Sequence, residues 1–308
     1  MLGKILNIFK PKPKVVVILG PTSTGKTSLS IKIAKEFNGE IISADSRQIY
    51  KNLNLISGKI TETEKENIPH HMIDVISIGD SYSVELYKNA AKKKIKEILS
   101  RGKLPIICGG TGFYIDSLVF KNSFPEVEPD QEIRDELDKK SANELFDMLV
   151  KIDKKRSESI DRHNKVRLIR AIEIAKKIGQ SPNAPSYKDM NYKTLFIGLD
   201  IDDSDLKTRI KERIEMRWNQ GMVSEAKWII DSGRPKEVLY LLGLDAKFSA
   251  MVACGEITEE KAKEELFLET WQYAKRQRTY WKRNKNIKWF EPKNIFEISN
   301  AVREFLNR

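Results

Sequence analysis

The stretch Lys14–Thr27, KVVVILGPTSTGKT, decides the architecture. Lys14–Gly20 is a short β-branched run ending in glycine, the kind of segment that a strand buried on both faces requires. Ser28–Phe37 follows with apolar residues at Leu29, Ile33 and Phe37, the spacing of one helix face. Between them, Gly20-Pro-Thr22-Ser23-Thr24-Gly25-Lys26-Thr27 fits GxxxxGK[ST] in the strand–turn–helix setting that this motif needs. Successive backbone N–H groups and the helix N-terminus form an anion nest there, Lys26 brings a charge to terminal phosphates, and the Thr27 hydroxyl can ligate Mg²⁺. The segment is therefore expected to bind phosphate or diphosphate, and it leaves open which compound carries that group.

Working outward, a second strand is predicted at Glu40–Ala44, ending at Asp45-Ser46, and a helix over Tyr82–Leu99 with Leu86, Ala90, Ile95, Ile98 and Leu99 on one side. A third strand, Leu104–Cys108, runs into Gly109-Gly110-Thr111-Gly112. Alternating units of this kind predict an α/β fold with a parallel sheet, and ligands in such sheets sit beyond the carboxyl ends of the strands, where Gly20, Asp45 and Gly109 fall. Asn122–Pro129 reads as loop, Asp130–Ile178 as charged helices, and Ser181–Tyr192 as loop again. A strand at Thr194–Ile201 resumes the core, with helices at Asp205–Gln220, Val223–Ile230 and Thr258–Arg283. The expected organisation is a P-loop parallel-sheet core over 1–120, a mainly helical insertion over 121–192, and a core continuation with a basic helical C-terminal region over 193–308.

Composition narrows the function classes. The 308 residues carry 55 Lys plus Arg against 44 Asp plus Glu, a formal net charge of +11, which modestly favours a polyanionic partner. The longest apolar run, Val15–Leu19, is far short of the ~20 residues of a membrane-spanning helix, and Met1–Lys14 has no signal-peptide core. Cys108 and Cys254 stand apart with no metal-binding spacing, so a reducing cytosol is the expected compartment. His70 and His71 are adjacent without a third ligand near in sequence and do not read as a metal pair.

Several residues carry chemistry with more than one reading. A kinase or ATPase would usually hold its metal with an Asp at the end of a further hydrophobic strand, and the third strand here ends in Cys108 instead. Asp45 is then the carboxylate nearest the P-loop: a metal ligand, a general base, or a helix N-cap. Thr111 is a turn residue bonding its own backbone or a ligand-facing hydroxyl. Arg209, Arg213 and Arg217 recur on one helix face, which is usually a solvated row paired with residues such as Asp205 and Glu212. Lys275–Lys288 holds seven basic side chains among Tyr280, Trp281 and Trp289, a mixture that suits RNA or a Lys-rich helix with Trp packed inward.

In order and spacing, GPTSTGKT, DSRQIY, PHHMIDV, SYSVELY, GGTGFYIDSL, RHNKVRLIRAIEI and YAKRQRTYW resemble the tRNA dimethylallyltransferase family over Gly20–Trp281. The resemblance implies transfer of the dimethylallyl group of dimethylallyl diphosphate to N6 of adenosine 37 in a tRNA anticodon stem-loop, with Mg²⁺ as cofactor; a monomer is expected. It implies that the P-loop residues hold diphosphate, that an arginine of the row, Arg217 first and Arg213 second, reaches it as the prenyl group leaves, that Asp45 takes the proton of the amine, and that Thr111 faces the reacting centre. Asp45, Ser46, Arg47 and Gln48 would hold the adenine and its neighbours. Arg134, the run Val166, Arg167, Leu168, Ile169 and Arg170, and Lys275 and Arg276 would contact the tRNA, where phosphate contacts fix register. The pattern breaks at Leu244, where the family usually has tyrosine, and in the loop before Lys59. A small-molecule kinase and an RNA-binding module with an idle P-loop are the competing readings. The missing metal-binding Asp argues against the first, and intact Lys26, Thr27 and Asp45 against the second.

Overall fold

A computed structural model describes residues 12–121, 127–128, 130–179 and 190–308. The strands are β1 (Lys14–Leu19), β2 (Gly39–Ser43), β3 (His70–His71), β4 (Leu104–Cys108), β5 (Lys193–Leu199) and β6 (Ile287–Phe290). They form one parallel sheet in the order β3-β2-β4-β1-β5-β6. Its central strand β1 is buried along Val15–Leu19, which is why the motif that opens the fold is a continuous apolar run and not an alternating one. In register, Ile18 lies beside Cys108 of β4 and Ile197 of β5, so the chain leaves several strands at one edge, with Gly20, Asp45 and Gly109 following β1, β2 and β4.

Helices α1 (Lys26–Glu36), α2 (Glu62–Lys65), α3 (Val84–Ser100) and α4 (Gly112–Val119) belong to the first part of the core. The buried side of α3 is Tyr87, Ala91, Ile95 and Ile98, one position on from the expected phase at its start. Leu86 is 52% exposed because Tyr87, stacked on Tyr114 with ring centroids 3.8 Å apart, takes the inward place.

The described residues between Phe120 and Asp189 form a compact unit by themselves. It contains α5 (Gln131–Asp138), α6 (Ala142–Ile152), α7 (Lys154–Ser157) and α8 (Lys165–Ile178), around Leu137, Leu145, Leu149, Leu168 and Ile172. Asp130, Ser141, Asp153 and Asn164 each cap a helix start with a side-chain oxygen, which is how so polar a stretch holds short helices. The loops expected at Asn122–Pro129 and Ser181–Tyr192 fall mostly outside the described residues.

From Met190 onward the chain returns to the core and adds α9 (Asp203–Asn219), α10 (Met222–Asp231), α11 (Lys236–Leu241), α12 (Leu244–Ala253), α13 (Glu259–Trp281) and α14 (Ile295–Asn307). Leu206, Ile210, Ile214 and Trp218 of α9 pack with residues of α10, α12 and α13 and with Leu53 and Ile56 of the loop after β2. That loop is anchored by Glu225, whose carboxylate accepts the N–H groups of Asn54, Leu55 and Ile56 at 2.7, 3.2 and 2.8 Å. Ile298 and Val302 of α14 join the sheet core. Among the described residues, no helix is long and apolar enough to cross a membrane.

Candidate active site

A cavity of about 490 Å³ opens at the carboxyl edge of the sheet. Its floor is the turn from β1 into α1, and its walls come from the ends of β2 and β4, the loop around Gly58, and helices α9, α12 and α13. Thr22, Ser23, Gly25, Lys26 and Thr27 line it, together with Arg213 and Arg217. Gly20 and Thr24 support the turn from behind, Thr24 being buried with its hydroxyl donating to the Pro21 carbonyl at 2.9 Å.

Positive charge gathers at this turn. Lys26 donates to the Pro21 carbonyl at 2.5 Å, and burial lowers its ammonium to about 8 despite the charges of Cys108 and Asp45 that favour it. Arg213 donates to the Thr22 hydroxyl, and burial, then its neighbour Arg217, lowers it to about 10. Among the described residues, neither Lys26 nor Arg213 has a carboxylate within the 4.0 Å of an ion pair. The Ser23 hydroxyl and Arg213 Nε are buried with no hydrogen-bond partner, which costs free energy unless something enters to meet them. Arg217 has a distant partner in Asp245 at 3.7 Å, and its guanidinium packs on Gly58, where a Cβ would lie 1.8 Å from Nη2. Arg209, on the same helix, is exposed and outside the cavity.

The turn after β2 also borders the cavity. Asp45 lines the cavity, and its Oδ1 accepts the N–H of Arg47 at 2.8 Å, a local turn that leaves its other oxygen for a ligand. Ser46 donates its N–H to the Thr111 hydroxyl at 3.2 Å, so Thr111 ties this turn to the glycine turn after β4. Ser46 and Arg47 line the cavity, with Arg47 also donating to the Leu241 carbonyl at 3.2 Å. The carboxamide of Gln48 is engaged at both ends, accepting from Ser43 at 2.8 Å and donating to the Gly58 carbonyl at 3.1 Å, which makes it a brace of the wall. At the rim, His70 Nδ1 bonds the Ile68 carbonyl at 2.8 Å and its buried Nε2 is without a partner, while His71 bonds Glu40 at 2.7 Å. Among the described residues no group of three or more His, Cys, Asp and Glu could hold a metal ion.

The residues expected to meet RNA divide sharply. In the Phe120–Asp189 unit, Val166 and Arg167 are exposed, whereas Leu168 and Ile169 are core residues whose side chains face inward. Arg134 and Arg170 both bond the fully buried Glu173, Arg134 at 3.0 and 3.1 Å. On α13, Lys275 and Arg276 are exposed, Arg276 at the cavity wall and Lys275 over the Trp271 ring at 5.6 Å. Of the seven basic residues in Lys275–Lys288, Arg278 and Arg283 turn inward to Asp200 and Asp116, at 2.8 and 2.6 Å. Trp281 is buried. Gln277, Gly58 and Glu225 also shape the site, through partners that lie far away along the chain, and of the three only Gln277 falls within a motif quoted above.

The family model described as IPP transferase matches residues 48–284. A tRNA dimethylallyltransferase of Acetivibrio thermocellus is 40% identical over 296 residues, covering 94% of each chain. One of Staphylococcus haemolyticus is 37% identical, covering 91% of this chain and 87% of its own. Among solved structures, a full-length tRNA isopentenylpyrophosphate transferase of Bacillus halodurans superposes with a TM-score of 0.72 at 34% identity, covering 96% of this chain and 97% of its own. A eukaryotic dimethylallyltransferase acting on tRNA gives a TM-score of 0.80 at 26% identity, covering 95% of this chain and 77% of its own.

Proposed function

The chain belongs to the IPP transferase family, and from that premise and the geometry of its cavity we propose that it transfers the dimethylallyl group of dimethylallyl diphosphate to N6 of adenosine 37 in tRNA, releasing diphosphate. The observation that carries the reading at this site is a pair of half-buried cations without carboxylate partners among the described residues, Lys26 and Arg213, lining one cavity with Asp45. Such a site suits a leaving group whose charge grows as the bond breaks, because preorganised donors in a water-poor pocket stabilise that charge best.

In the reaction, the adenine amine attacks the first carbon of the prenyl group, a C–N bond forms, and the C–O bond to diphosphate breaks with its electron pair. Lys26, Arg213, Arg217 and the nest of Thr22–Thr27 receive the departing diphosphate. The amine is a poor nucleophile because its lone pair is delocalised into the ring, so Asp45 orients it and accepts its proton. Ser46 and Arg47 border the space for the base, and Thr111 holds the Asp45 turn in place through Ser46. The exposed hydroxyl of Thr27, in a cavity that Asp45 also lines, fits Mg²⁺, a cation that takes most of its ligands from phosphate oxygens and water. When bound there, Mg²⁺ supplies further positive charge to the diphosphate.

The basic, exposed residues Arg167, Lys275 and Arg276 support a tRNA partner through phosphate contacts. The test is incubation of the protein and Mg²⁺ with an unmodified anticodon stem-loop and dimethylallyl diphosphate, with ATP in a parallel reaction, read by mass spectrometry. A gain of one C5H8 unit on the RNA is expected. ATP consumption without that gain would mean that the P-loop serves phosphoryl transfer.

A further inference from the structure

Helix α13 forms one wall of the cavity, and it is fixed at two places that do not touch the reacting groups. Arg278 bonds Asp200 at the end of β5, and Tyr280 and Arg283 both bond the buried Asp116 of α4 at 2.6 Å, with the Arg283 guanidinium 3.5 Å from the Tyr280 ring centroid. Immediately before these anchors in the chain, Gln277 lines the cavity. It is 6% exposed. Its Oε1 accepts the Thr22 N–H of the P-loop at 2.9 Å, and its Nε2 donates to the Gly110 carbonyl at 3.1 Å.

One carboxamide therefore spans the two turns that frame the reaction. Thr22 belongs to the diphosphate nest, and Gly110 precedes Thr111, whose hydroxyl holds the Asp45 turn through Ser46. A carboxamide is the side chain that can do this, since it offers an acceptor to an N–H and a donor to a C=O at the same reach. Gly110 is fitted to it: a Cβ there would lie 2.4 Å from Nε2.

We propose that Gln277 is a positioning residue for the transfer, setting the separation between the diphosphate nest and the turn that carries Thr111 and, through it, Asp45. The proposal rests on the prenyl-transfer reading of the site. With Gln277 removed, the Thr22 N–H loses its buried acceptor and the nest loosens on the side where Arg213 meets the Thr22 hydroxyl, so the donor is held less well. The tRNA-facing surface is untouched.

The experiment is steady-state kinetics of Gln277→Ala, Gly110→Ala and the double variant, each with KM measured separately for dimethylallyl diphosphate and for tRNA. Gln277→Ala is expected to raise the donor KM about 10-fold, the effect of one lost buried hydrogen bond, and to leave the tRNA KM unchanged. A merely structural role would lower the active fraction, reducing kcat with both KM values unmoved. Gly110→Ala is expected to reproduce the donor effect by pushing the carboxamide away, and to add nothing further when Gln277 is already Ala, because the two changes act on one contact. An unchanged donor KM in Gln277→Ala, equal rises in both KM values, or additive effects in the double variant would overturn the proposal. A wild-type protein that transfers no prenyl group would overturn the reading beneath it instead.

Discussion

Two clusters of basic side chains in this molecule look alike in sequence and differ in what completes them. In the Phe120–Asp189 unit, Arg134 and Arg170 converge on Glu173, which has no exposed surface and also accepts the Asp130 N–H at 2.7 Å. Burial raises the Glu173 carboxyl, but the bonds from Arg134, the Asp130 N–H and Arg170 outweigh it and hold the group below the ordinary glutamate value. In the cavity, Lys26 and Arg213 are half-buried with no carboxylate at ion-pair distance among the described residues, and desolvation of their charges lowers both. The first cluster is satisfied from within and acts as a structural joint. The second has no such internal partner among the described residues, and we propose that an anion completes it, so that partner geometry, and not residue type or spacing, separates a joint from a site.

The comparison can be broken at several points. The largest effect is expected at the carboxylate facing the unpaired cations: Asp45→Asn should lower single-turnover transfer by about 10²–10⁴-fold while tRNA and diphosphate still bind. Normal turnover would remove Asp45 as the base. Glu173→Gln should destabilise its unit by about 3 kcal/mol in denaturant unfolding, because it leaves two guanidiniums around a neutral group, yet the donor KM should not change. A rise in donor KM there would erase the distinction between joint and site. Lys26→Met should weaken diphosphate binding by about 10–100-fold in calorimetry, the range for a hydrogen bond to a charged group, without loss of thermal stability. The smallest effect should separate two arginines of one helix: Arg167→Ala should reduce the salt dependence of tRNA binding by about one phosphate contact, and Arg170→Ala should chiefly cost stability. Equal salt slopes for the two variants would contradict the role assigned to Glu173.

Legibility in the sequence followed the range of the interactions. β1, β2, β4 and β5 could be read because their burial on both faces demands apolar runs. β3 is two histidines and β6 carries Lys288 and Trp289, so neither has a strand pattern of its own, and each exists because a neighbouring strand offers it a ladder. The start of α3 departs from the spacing in its sequence because Tyr87 stacks on Tyr114, a tertiary contact that outranks local spacing. The nest and Asp45 were legible as motifs whose parts are adjacent in sequence. The Arg134–Glu173 pair spans 39 positions and the Gln277–Thr22 pair 255, so neither leaves a local mark, whereas Arg170 and Glu173 stand three apart on one helix and their pairing is open to local reading.

The central claim is that Lys26 and its neighbours form an anion receptor that a diphosphate completes. Its most direct test is calorimetric titration of the wild-type protein and of Lys26→Met with inorganic diphosphate between pH 7 and 9, in buffers of different ionisation enthalpy. Free Lys26 titrates near 8, and a bound anion stabilises the ammonium and raises that value. Binding should therefore take up a proton, and affinity should fall as pH rises through about 8, in the wild type and not in Lys26→Met, which serves as the reference for the ligand's own titration. Binding of equal strength and equal pH dependence in the two proteins, or no binding to the wild type, would contradict the account.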